Sequence, residues 1–454
     1  MAGTVPTYRI LVYGCQMNRN DAERIGRLLS DAGFEETSDE HQADVIVFVT
    51  CSVRQSAEER IYGKMEDIMG LKKKRPHLLV AVTGCMAGRD TDGAIRRRLA
   101  AVDLFFPTAE MGKLPGWIAE RWGEASPATA SVRSDGSRHA TYLDIEPLRR
   151  TPPGTAFVTI QTGCDKYCAY CVVPYARGRE TNRPAAAILE EVRTCAARGI
   201  VEIVFLGQSV NAYRAPDPET FSEENPYADP FAALLWETDR VPGIRRIHWT
   251  AAHPASMSDE VIDALALPHQ VDYLHLPVQS GSDEVLRRMN RKYTRDRYLD
   301  VIAKVKARRP GIALGTDIIV GFPGETSADF DGTVSLYREV DFDIAYIAEY
   351  SVRSGTLAHR LYPDDVPPEE KRRRRSVLQA HMEETAERKN RTAIGKVVEV
   401  LVTEVREGYA VGTTEKLKAC RFPCGDASSV GRIVPVRITD AKEWQLSGDM
   451  LRSG

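Results

Sequence analysis

Three cysteines lie close together in one segment of the sequence, at Cys164, Cys168 and Cys171. Gaps of three residues and then two let a single loop place three thiolates around an iron–sulfur cube, which normally takes four cysteine ligands. No fourth cysteine follows in that segment, so one iron would stay open to a group from outside the chain. Zinc is the competing interpretation, although structural zinc sites usually add a second pair of close ligands. We call these residues the loop cysteines.

The open iron determines which chemistry the loop cysteines predict. The amino and carboxylate groups of S-adenosylmethionine are suited to fill the open position. An electron from the cluster would then break the sulfonium carbon–sulfur bond and release a deoxyadenosyl radical. The spacing therefore predicts a 4Fe-4S cluster that binds and cleaves S-adenosylmethionine.

Three other cysteines are far apart in the first hundred residues, at Cys15, Cys51 and Cys85. Each follows an apolar run, within an alternation of strands and helices that predicts an open parallel sheet. Because the carboxyl ends of parallel strands line one crevice, we expect these three thiolates to converge. They would hold a second cluster with one iron open to a sulfur-containing ligand; the alternative is three small buried core residues. We call them the strand-end cysteines.

The last three cysteines are predicted to be ordinary core residues. Cys195 lies within a helical segment, and Cys420 and Cys424 have no third or fourth metal ligand near them in the sequence. Nine cysteines, an odd number without a secretion signal, do not indicate a disulfide framework.

Length and composition limit the class of protein. The 454 residues are 43% hydrophobic and 28% charged, which predicts about three folded domains. No apolar run reaches the roughly 18 residues of a membrane span, and no leader precedes the first strand. We therefore expect a monomeric cytoplasmic protein that does not contact a membrane. The net charge of −3 excludes a generally basic nucleic-acid coat and leaves RNA binding to local patches.

The apolar patterning predicts an α/β protein with three domains. Residues 1–125 are predicted to form an amino-terminal open parallel-sheet domain, followed by a polar linker over 126–155. Six strand–helix units over 156–367 predict a partial (βα)6 TIM-like barrel, whose active site lies at the carboxyl ends of its strands. A connecting helix over 368–392 precedes a small β-barrel over 393–454.

Four motifs together resemble a known family. They are GCDKYCAYCVVPYARGRE at 163–180, YGCQMN at 13–18, TCSVR at 50–54 and GCMA at 84–87. They are similar to motifs of the radical methylthiotransferases, and within these to the MiaB-type tRNA enzymes, which convert isopentenyladenosine beside the anticodon into its 2-methylthio derivative. The resemblance covers almost the whole chain and implies that the small β-barrel is of the TRAM type.

The resemblance implies a division of labour between the two cysteine sets. The loop cysteines would hold the 4Fe-4S cluster that cleaves S-adenosylmethionine, and the strand-end cysteines would hold an auxiliary 4Fe-4S cluster that carries or donates sulfur. One S-adenosylmethionine would methylate that sulfur, and a second would yield the radical that removes hydrogen from carbon 2 of the adenine. The implied partners are a tRNA anticodon loop, an electron donor such as flavodoxin or ferredoxin, and a sulfur source.

Relatives of the MiaB-type enzymes act on other substrates. Enzymes that methylthiolate a ribosomal protein side chain typically carry proline and lysine after the first cysteine, where this chain has QMN at 16–18. Enzymes acting on threonylcarbamoyladenosine in tRNA usually differ in the loop that here reads DKY at 165–167. Both differences favour isopentenyladenosine. A non-catalytic iron–sulfur RNA-binding protein is the alternative from another class.

Five further residues are candidates for binding S-adenosylmethionine: Tyr170, Gly207, Gln208, Gln279 and Ser280. Tyr170 lies inside the cysteine loop and would pack on the adenine or fill core. Gly207 and Gln208 end the second barrel strand, where related enzymes hold the methionyl amine. Gln279 and Ser280 lie in the strand-end run LPVQSGS, and a turn or capping role is the alternative for Ser280. No catalytic side chain beyond the cluster ligands is predicted.

Two regions are candidates for binding tRNA. The basic run at 371–375 suggests it, although acidic neighbours temper the charge and a solvated helix face is the alternative. The final module has nine Lys or Arg against eight Asp or Glu, so its TRAM-like pattern rather than its charge predicts RNA binding. Small β-barrels bind single-stranded RNA, and an anticodon loop offers the unstacked base that such chemistry needs.

Overall fold

The computed structural model describes residues 5–52, 55–123, 142–148 and 153–451. The linker predicted over 126–155 falls mostly outside these ranges, and its described part contains a short 3-10 turn at Tyr142–Asp144. The chain forms two compact units. The first comprises residues 1–150, 162–165 and 171–181, and the second comprises the rest.

The first unit is built on a five-stranded sheet in the order β2-β1-β3-β4-β5, with every pair of strands parallel. Its strands are β1 Thr7–Tyr13, β2 Glu35–Glu36, β3 Val45–Thr50, β4 Leu79–Gly84 and β5 Leu104–Phe105. Every residue of β3 and β4 is buried, as expected for parallel strands covered on both faces. The predicted open parallel sheet is thus confirmed.

Helices connect and cover these strands. They are Gln16–Asp31, Gln55–Lys74, Cys85–Gly88, Ala94–Arg97, Leu114–Trp122 and Val173–Arg177, with a 3-10 turn at Thr108–Lys113. Apolar spacing in the sequence predicts the first helix only over residues 21–29, but the helix begins at Gln16. Its early start was hidden because the first turns bury polar residues, among them Asn18 and Asn20, instead of showing an apolar stripe.

The second unit contains six parallel strands that alternate with helices. The strands are β6 Thr155–Thr159, β9 Glu202–Leu206, β10 Arg246–Trp249, β11 Tyr273–His275, β12 Ala313–Val320 and β13 Ile344–Glu349; two-residue strands β7 Gln161–Thr162 and β8 Thr181–Asn182 intervene in the chain. They pair in the orders β6-β9-β10 and β11-β12-β13. A parallel bridge between Ile247 and Gln270 joins the two groups. The arrangement confirms the predicted partial (βα)6 barrel.

The barrel helices pack their apolar faces against the strands. They are Ala185–Ala197, Pro230–Asp239, Asp259–Ala264, Asp283–Arg288, Arg295–Arg308, Ser327–Val340, Leu357–Leu361 and Pro368–Arg391. Ser258, Ser282 and Thr294 cap three of them, each accepting a hydrogen bond from a backbone N–H of the first turn. Cys195 is fully buried in this core, which confirms its predicted role.

The carboxyl-terminal module is a closed barrel in the order β14-β15-β16-β18-β17. Its strands are β14 Val397–Arg406, β15 Tyr409–Thr414, β16 Ala419–Pro423, β17 Ile433–Ala441 and β18 Gln445–Met450. The sequence pattern predicts only three of these strands, over 397–405, 409–412 and 433–438. It missed β16 and β18 because each is short and offers only two buried positions between polar ones. Cys420 and Cys424 are both buried in the barrel core, as predicted.

The small barrel packs against the amino-terminal end of the larger one. Arg246, the first residue of β10, donates to the carbonyl oxygens of Thr413 at 2.9 Å and Glu399 at 2.8 Å. Lys418 lies 3.3 Å from Asp343, which directly precedes β13. The carboxyl ends of the strands, where the active site of such a barrel forms, are therefore at the opposite end. Within the described residues, no helix has both the length and the apolar character needed to cross a membrane.

Candidate iron–sulfur sites

The strand-end cysteines lie at one edge of the first sheet. Strand pairing places Tyr13 beside Thr50, and Thr50 beside Gly84, so β1, β3 and β4 end in register. Cys51 and Cys85 follow the last residues of β3 and β4 directly, and Cys15 comes two residues after β1. The structure therefore brings these cysteines, which lie 36 and 34 positions apart in the chain, to three adjacent strand ends.

The three thiols have different surroundings. A hydrogen bond with Cys51, and a smaller contribution from the Asn18 backbone, lower the pKa of Cys15 to about 6, against the raising effect of burial. Burial raises the pKa of Cys85, although the positive charge of Arg177 and a hydrogen bond from it oppose that effect. One thiol is thus prepared to be a thiolate, the form that binds metal.

A buried ion pair lies beside these thiols. The guanidinium of Arg177 donates to both carboxylate oxygens of Asp21, at 2.5 and 3.3 Å, and both side chains are almost wholly buried. The Tyr142 hydroxyl donates to the same carboxylate at 2.8 Å, and the Asn18 amide donates at 3.3 Å. Arg177 thus supplies a donor next to Cys85 while its charge is neutralised locally.

Two glycines allow the backbones around this edge to approach closely. A Cβ atom on Gly84 would lie 2.2 Å from the Thr50 carbonyl oxygen, and the residue has a φ of +104°. A Cβ on Gly88 would lie 2.1 Å from the Ala176 carbonyl oxygen. Only glycine fits either position without displacing backbone.

The loop cysteines follow the first barrel strand. Cys164 and Cys168 are buried and Cys171 is half-buried. The Cys164 amide donates to the Gly178 carbonyl oxygen at 3.2 Å, and the Val173 amide donates to the Cys171 sulfur at 3.4 Å. Backbone contacts therefore fix the chain on both sides of the loop.

The donor set of each cysteine group fits a 4Fe-4S cluster. Such clusters are held by cysteine thiolates, and each group consists of three cysteines with no carboxylate or imidazole ligand required. Among the described residues, no three His, Cys, Asp or Glu side chains are arranged around a single metal ion.

Arg291 is a functional candidate that the sequence interpretation missed. Its guanidinium donates to the Cys168 sulfur at 3.1 Å and to the Pro277 carbonyl oxygen at 3.2 Å. Arg177 and Asp21 were missed as well. Arg177 lies inside the quoted motif PYARGRE, so position in a motif was the available signal, whereas nothing local marked Asp21 or Arg291.

The five candidates for binding S-adenosylmethionine lie at or near strand ends. Gln208 has a buried side-chain oxygen with no hydrogen-bond partner among the described residues. Gly207 leaves little space, since a Cβ there would lie 3.1 Å from Val210 and 3.2 Å from Gln161. Tyr170 is half-buried, with its ring edge-on to Phe322 at 6.5 Å.

Gln279 and Ser280 are tied into the barrel. The backbone of Gln279, with a φ of +69°, bonds on both sides to β12, through Asp317 at 2.8 Å and Ile319 at 3.0 Å. The Ser280 hydroxyl is fully buried, lies 3.3 Å from the Thr333 hydroxyl and accepts from the Ser282 amide at 3.2 Å. Ser280 thus makes the turn contacts that were its alternative role.

The basic run at 371–375 is divided between two surfaces. Lys371 and Arg374 point inward. Lys371 pairs with Asp364 at 2.5 Å, and Arg374 pairs with Glu325 at 2.6 Å. Only 4% of the Arg374 side chain and 1% of the Glu325 side chain are exposed. These two side chains are therefore not at the surface, where both alternatives for the run would place them. The helix turns them toward the barrel, while the other three arginines of the run stay exposed.

Three family models match the chain in consecutive segments. Residues 7–107 match the uncharacterized protein family UPF0004, residues 158–337 match the radical SAM superfamily, and residues 391–451 match the TRAM domain. The fold is similar to that of a radical S-adenosylmethionine methyltransferase, TsrM, from Kitasatospora setae: the TM-score is 0.55 at 15% identity over 78% of this chain and 77% of that one. The match over residues 158–337 identifies the central part of the chain as a radical S-adenosylmethionine domain.

Curated relatives give the particular family. A tRNA-2-methylthio-N(6)-dimethylallyladenosine synthase of Clostridium botulinum (strain Okra) is 38% identical over 446 residues, covering 97% of this chain and 96% of that protein. The enzyme of the same name from Syntrophomonas wolfei is 40% identical over 448 residues, covering 98% and 97%. The chain belongs to the family of tRNA-2-methylthio-N(6)-dimethylallyladenosine synthases.

Proposed function

We propose that this chain adds a methylthio group to carbon 2 of N(6)-isopentenyladenosine next to the anticodon of tRNA. The observation that carries the proposal is the register of β1, β3 and β4, because it brings a second set of three cysteines to adjacent strand ends, in addition to the cysteine loop typical of radical S-adenosylmethionine enzymes. A radical enzyme that only cleaves its cofactor needs one cluster. Sulfur insertion gives the second one a purpose.

The residue roles follow from this proposal. The loop cysteines hold the cluster that binds S-adenosylmethionine, and the strand-end cysteines hold the cluster that presents sulfur. When bound, the first cluster supplies the electron that cleaves the cofactor. The buried, unpartnered side-chain oxygen of Gln208 supports a role as acceptor for the methionyl amine, since a buried acceptor without a donor is costly.

The TRAM barrel supports tRNA as the substrate. An enzyme that modifies the edge of a base must take that base from a single-stranded region, and an anticodon loop provides one. We further propose that the protein works as a monomer in the cytoplasm with a flavodoxin-type or ferredoxin-type electron donor and an external sulfur source.

The first test separates an enzyme from a non-catalytic iron–sulfur protein. The chain is reconstituted with iron and sulfide without oxygen, reduced, and mixed with S-adenosylmethionine. We expect 5′-deoxyadenosine as a product. A reduced, cluster-loaded protein that forms none contradicts the radical role.

The second test addresses the strand-end cysteines. Replacing all three with Ala should lower iron from about eight to about four per chain, leave cofactor cleavage intact and abolish 2-methylthio nucleosides in tRNA. Cys195→Ala is the matched control, because Cys195 is a buried thiol that belongs to neither cysteine set. Methylthiolated product from the triple variant would remove these cysteines from the reaction.

The third test identifies the nucleoside. Mass spectrometry of tRNA digests from cells with and without the gene should show loss of the 2-methylthio derivative of isopentenyladenosine only. Loss of the threonylcarbamoyladenosine derivative instead would contradict the proposed substrate.

A further inference from the structure

Arg291 is partly buried, and most of its hydrogen-bond partners are neutral groups. Besides Cys168 and Pro277, its guanidinium donates to the Tyr293 hydroxyl at 3.0 Å and lies over that ring at 5.3 Å. The Tyr293 hydroxyl in turn donates to the Val278 carbonyl oxygen at 2.8 Å, so it acts as a neutral phenol. All the partners of the guanidinium apart from the cysteine are thus neutral.

Within the part of the chain that the structure describes, the positive charge of Arg291 has no carboxylate partner. Among the described residues, no Asp or Glu side chain forms an ion pair with it, whereas Arg177 and Arg374 each pair with a buried carboxylate. Taking a charge even partly out of water without a counter-charge is unfavourable. The negative charge that offsets this cost must therefore come from the direction of Cys168.

The arginines that contact the two cysteine sets differ in their partners. Arg177, next to Cys85, is neutralised by Asp21. Arg291, next to Cys168, is not. The first unit and the second unit thus each place one guanidinium against one cysteine, and among the described residues a carboxylate pairs with the guanidinium in the first unit but not with Arg291 in the second.

Resting on the proposed function of the loop cysteines, we infer that Arg291 is the counter-charge of the cluster held by Cys168 and a positioning residue that favours its one-electron reduction. In this step one electron arrives from a one-electron donor of the flavodoxin or ferredoxin class, no bond is formed or broken, and the cluster becomes more negative by one charge. A fixed positive charge stabilises the reduced state more than the oxidised one. It therefore raises the reduction potential.

The test measures the reduction potential of this cluster alone. Full-length protein with the strand-end cysteines replaced by Ala holds one cluster, whose potential is followed by electron paramagnetic resonance during a redox titration without S-adenosylmethionine. We expect Arg291→Gln to make reduction about tenfold less favourable, which is about 59 mV for one electron. Arg291→Lys keeps the charge and should stay within about threefold of the parent.

Arg287→Gln is the matched control. Arg287 lies four residues earlier, its side chain is 70% exposed, and it pairs with Glu284 in solvent, so its loss should leave the potential unchanged. A potential of Arg291→Gln equal to that of the parent would overturn the inference. If Arg291→Gln fails to retain iron, the reduction potential of Arg291→Lys is the deciding measurement. A potential equal to the parent's supports the role of the positive charge, and a potential that corresponds to a tenfold change in the reduction equilibrium overturns that role.

Failure of the inference and failure of the proposed function give different results. Wild-type protein that forms 5′-deoxyadenosine, with an Arg291→Gln potential equal to the parent's, rejects only the role of Arg291. A reducible cluster whose potential depends on Arg291, in a wild-type protein that forms no 5′-deoxyadenosine, rejects only the proposed function.

Discussion

Asp21→Asn removes the charge that neutralises Arg177. The carboxylate accepts four hydrogen bonds, two from Arg177 and one each from Tyr142 and Asn18, and it is completely buried. An amide of the same shape offers one oxygen where two accepted, and it turns an N–H toward one of the donors. The guanidinium would remain buried without a counter-charge.

Breaking a buried ion pair from one side costs about 3–5 kcal/mol, which changes an opening equilibrium by about two to four orders of magnitude. Hydrogen exchange of the full chain without iron, read by mass spectrometry on peptides from the helix Gln16–Asp31, reports this directly. We expect exchange of its buried turns to accelerate by that factor. Tryptic maps and iron-loading of the same samples show whether the loop cysteines can still bind iron.

The same helix offers a matched control. Asp31 pairs with Arg27 at 2.9 Å in solvent, with 61% and 41% of the two side chains exposed, so Asp31→Asn should cost less than about 1 kcal/mol. Removing both buried partners, as Asp21→Leu with Arg177→Met, should recover most of the protection, because no unpaired charge is left. Exchange in Asp21→Asn less than about fivefold faster than in the parent would refute the reasoning.

Three further predictions concern stability. Burial lowers the pKa of His253 to about 3, so between about pH 6.5 and pH 3 the unfolded chain binds a proton that the folded chain does not. The free energy of unfolding should therefore fall below about pH 6.5, by up to about 1.4 kcal/mol per pH unit. Urea unfolding at several pH values should show a shallower pH dependence for His253→Gln. Gly84→Ala forces a Cβ against backbone at a positive φ, so it should lower the melting temperature and the amount of iron bound by the strand-end cysteines. In contrast, Gly63 lies at an exposed helix position with open space, so Gly63→Ala should stabilise the protein by about 0.5–1 kcal/mol. In the same urea assay, Arg374→Ala should destabilise the protein by about 3–5 kcal/mol because the ion pair of Arg374 is buried. The side chain of Arg373 is 54% exposed, so Arg373→Ala should cost less than about 1 kcal/mol. Equal effects of the two substitutions would contradict the inward orientation of Arg374.

Local pattern accounted for most of the fold but not for the helix start or the last strands. The sequence predicts β3 and β4 because a parallel strand that is buried on both faces is a continuous apolar run. The turns after Gln16 do not show such a pattern, since they bury asparagines that bond to polar groups, Asn18 to Asp21 and Asn20 to Arg24, and therefore have no apolar stripe. β16 and β18 were too short for a reliable period.

For the cysteines, the sequence by itself determined two sets of three. Spacing defined the loop set, and the rule that parallel strand ends meet at one edge defined the other, because both depend only on neighbouring residues and on backbone geometry. The charges beside the thiols were decided only by the tertiary structure. Asp21 and Arg177 lie 156 positions apart, and Cys168 and Arg291 lie 123 apart. No local pattern encodes which distant side chain packing will bring to a sulfur, or whether a carboxylate will come with it.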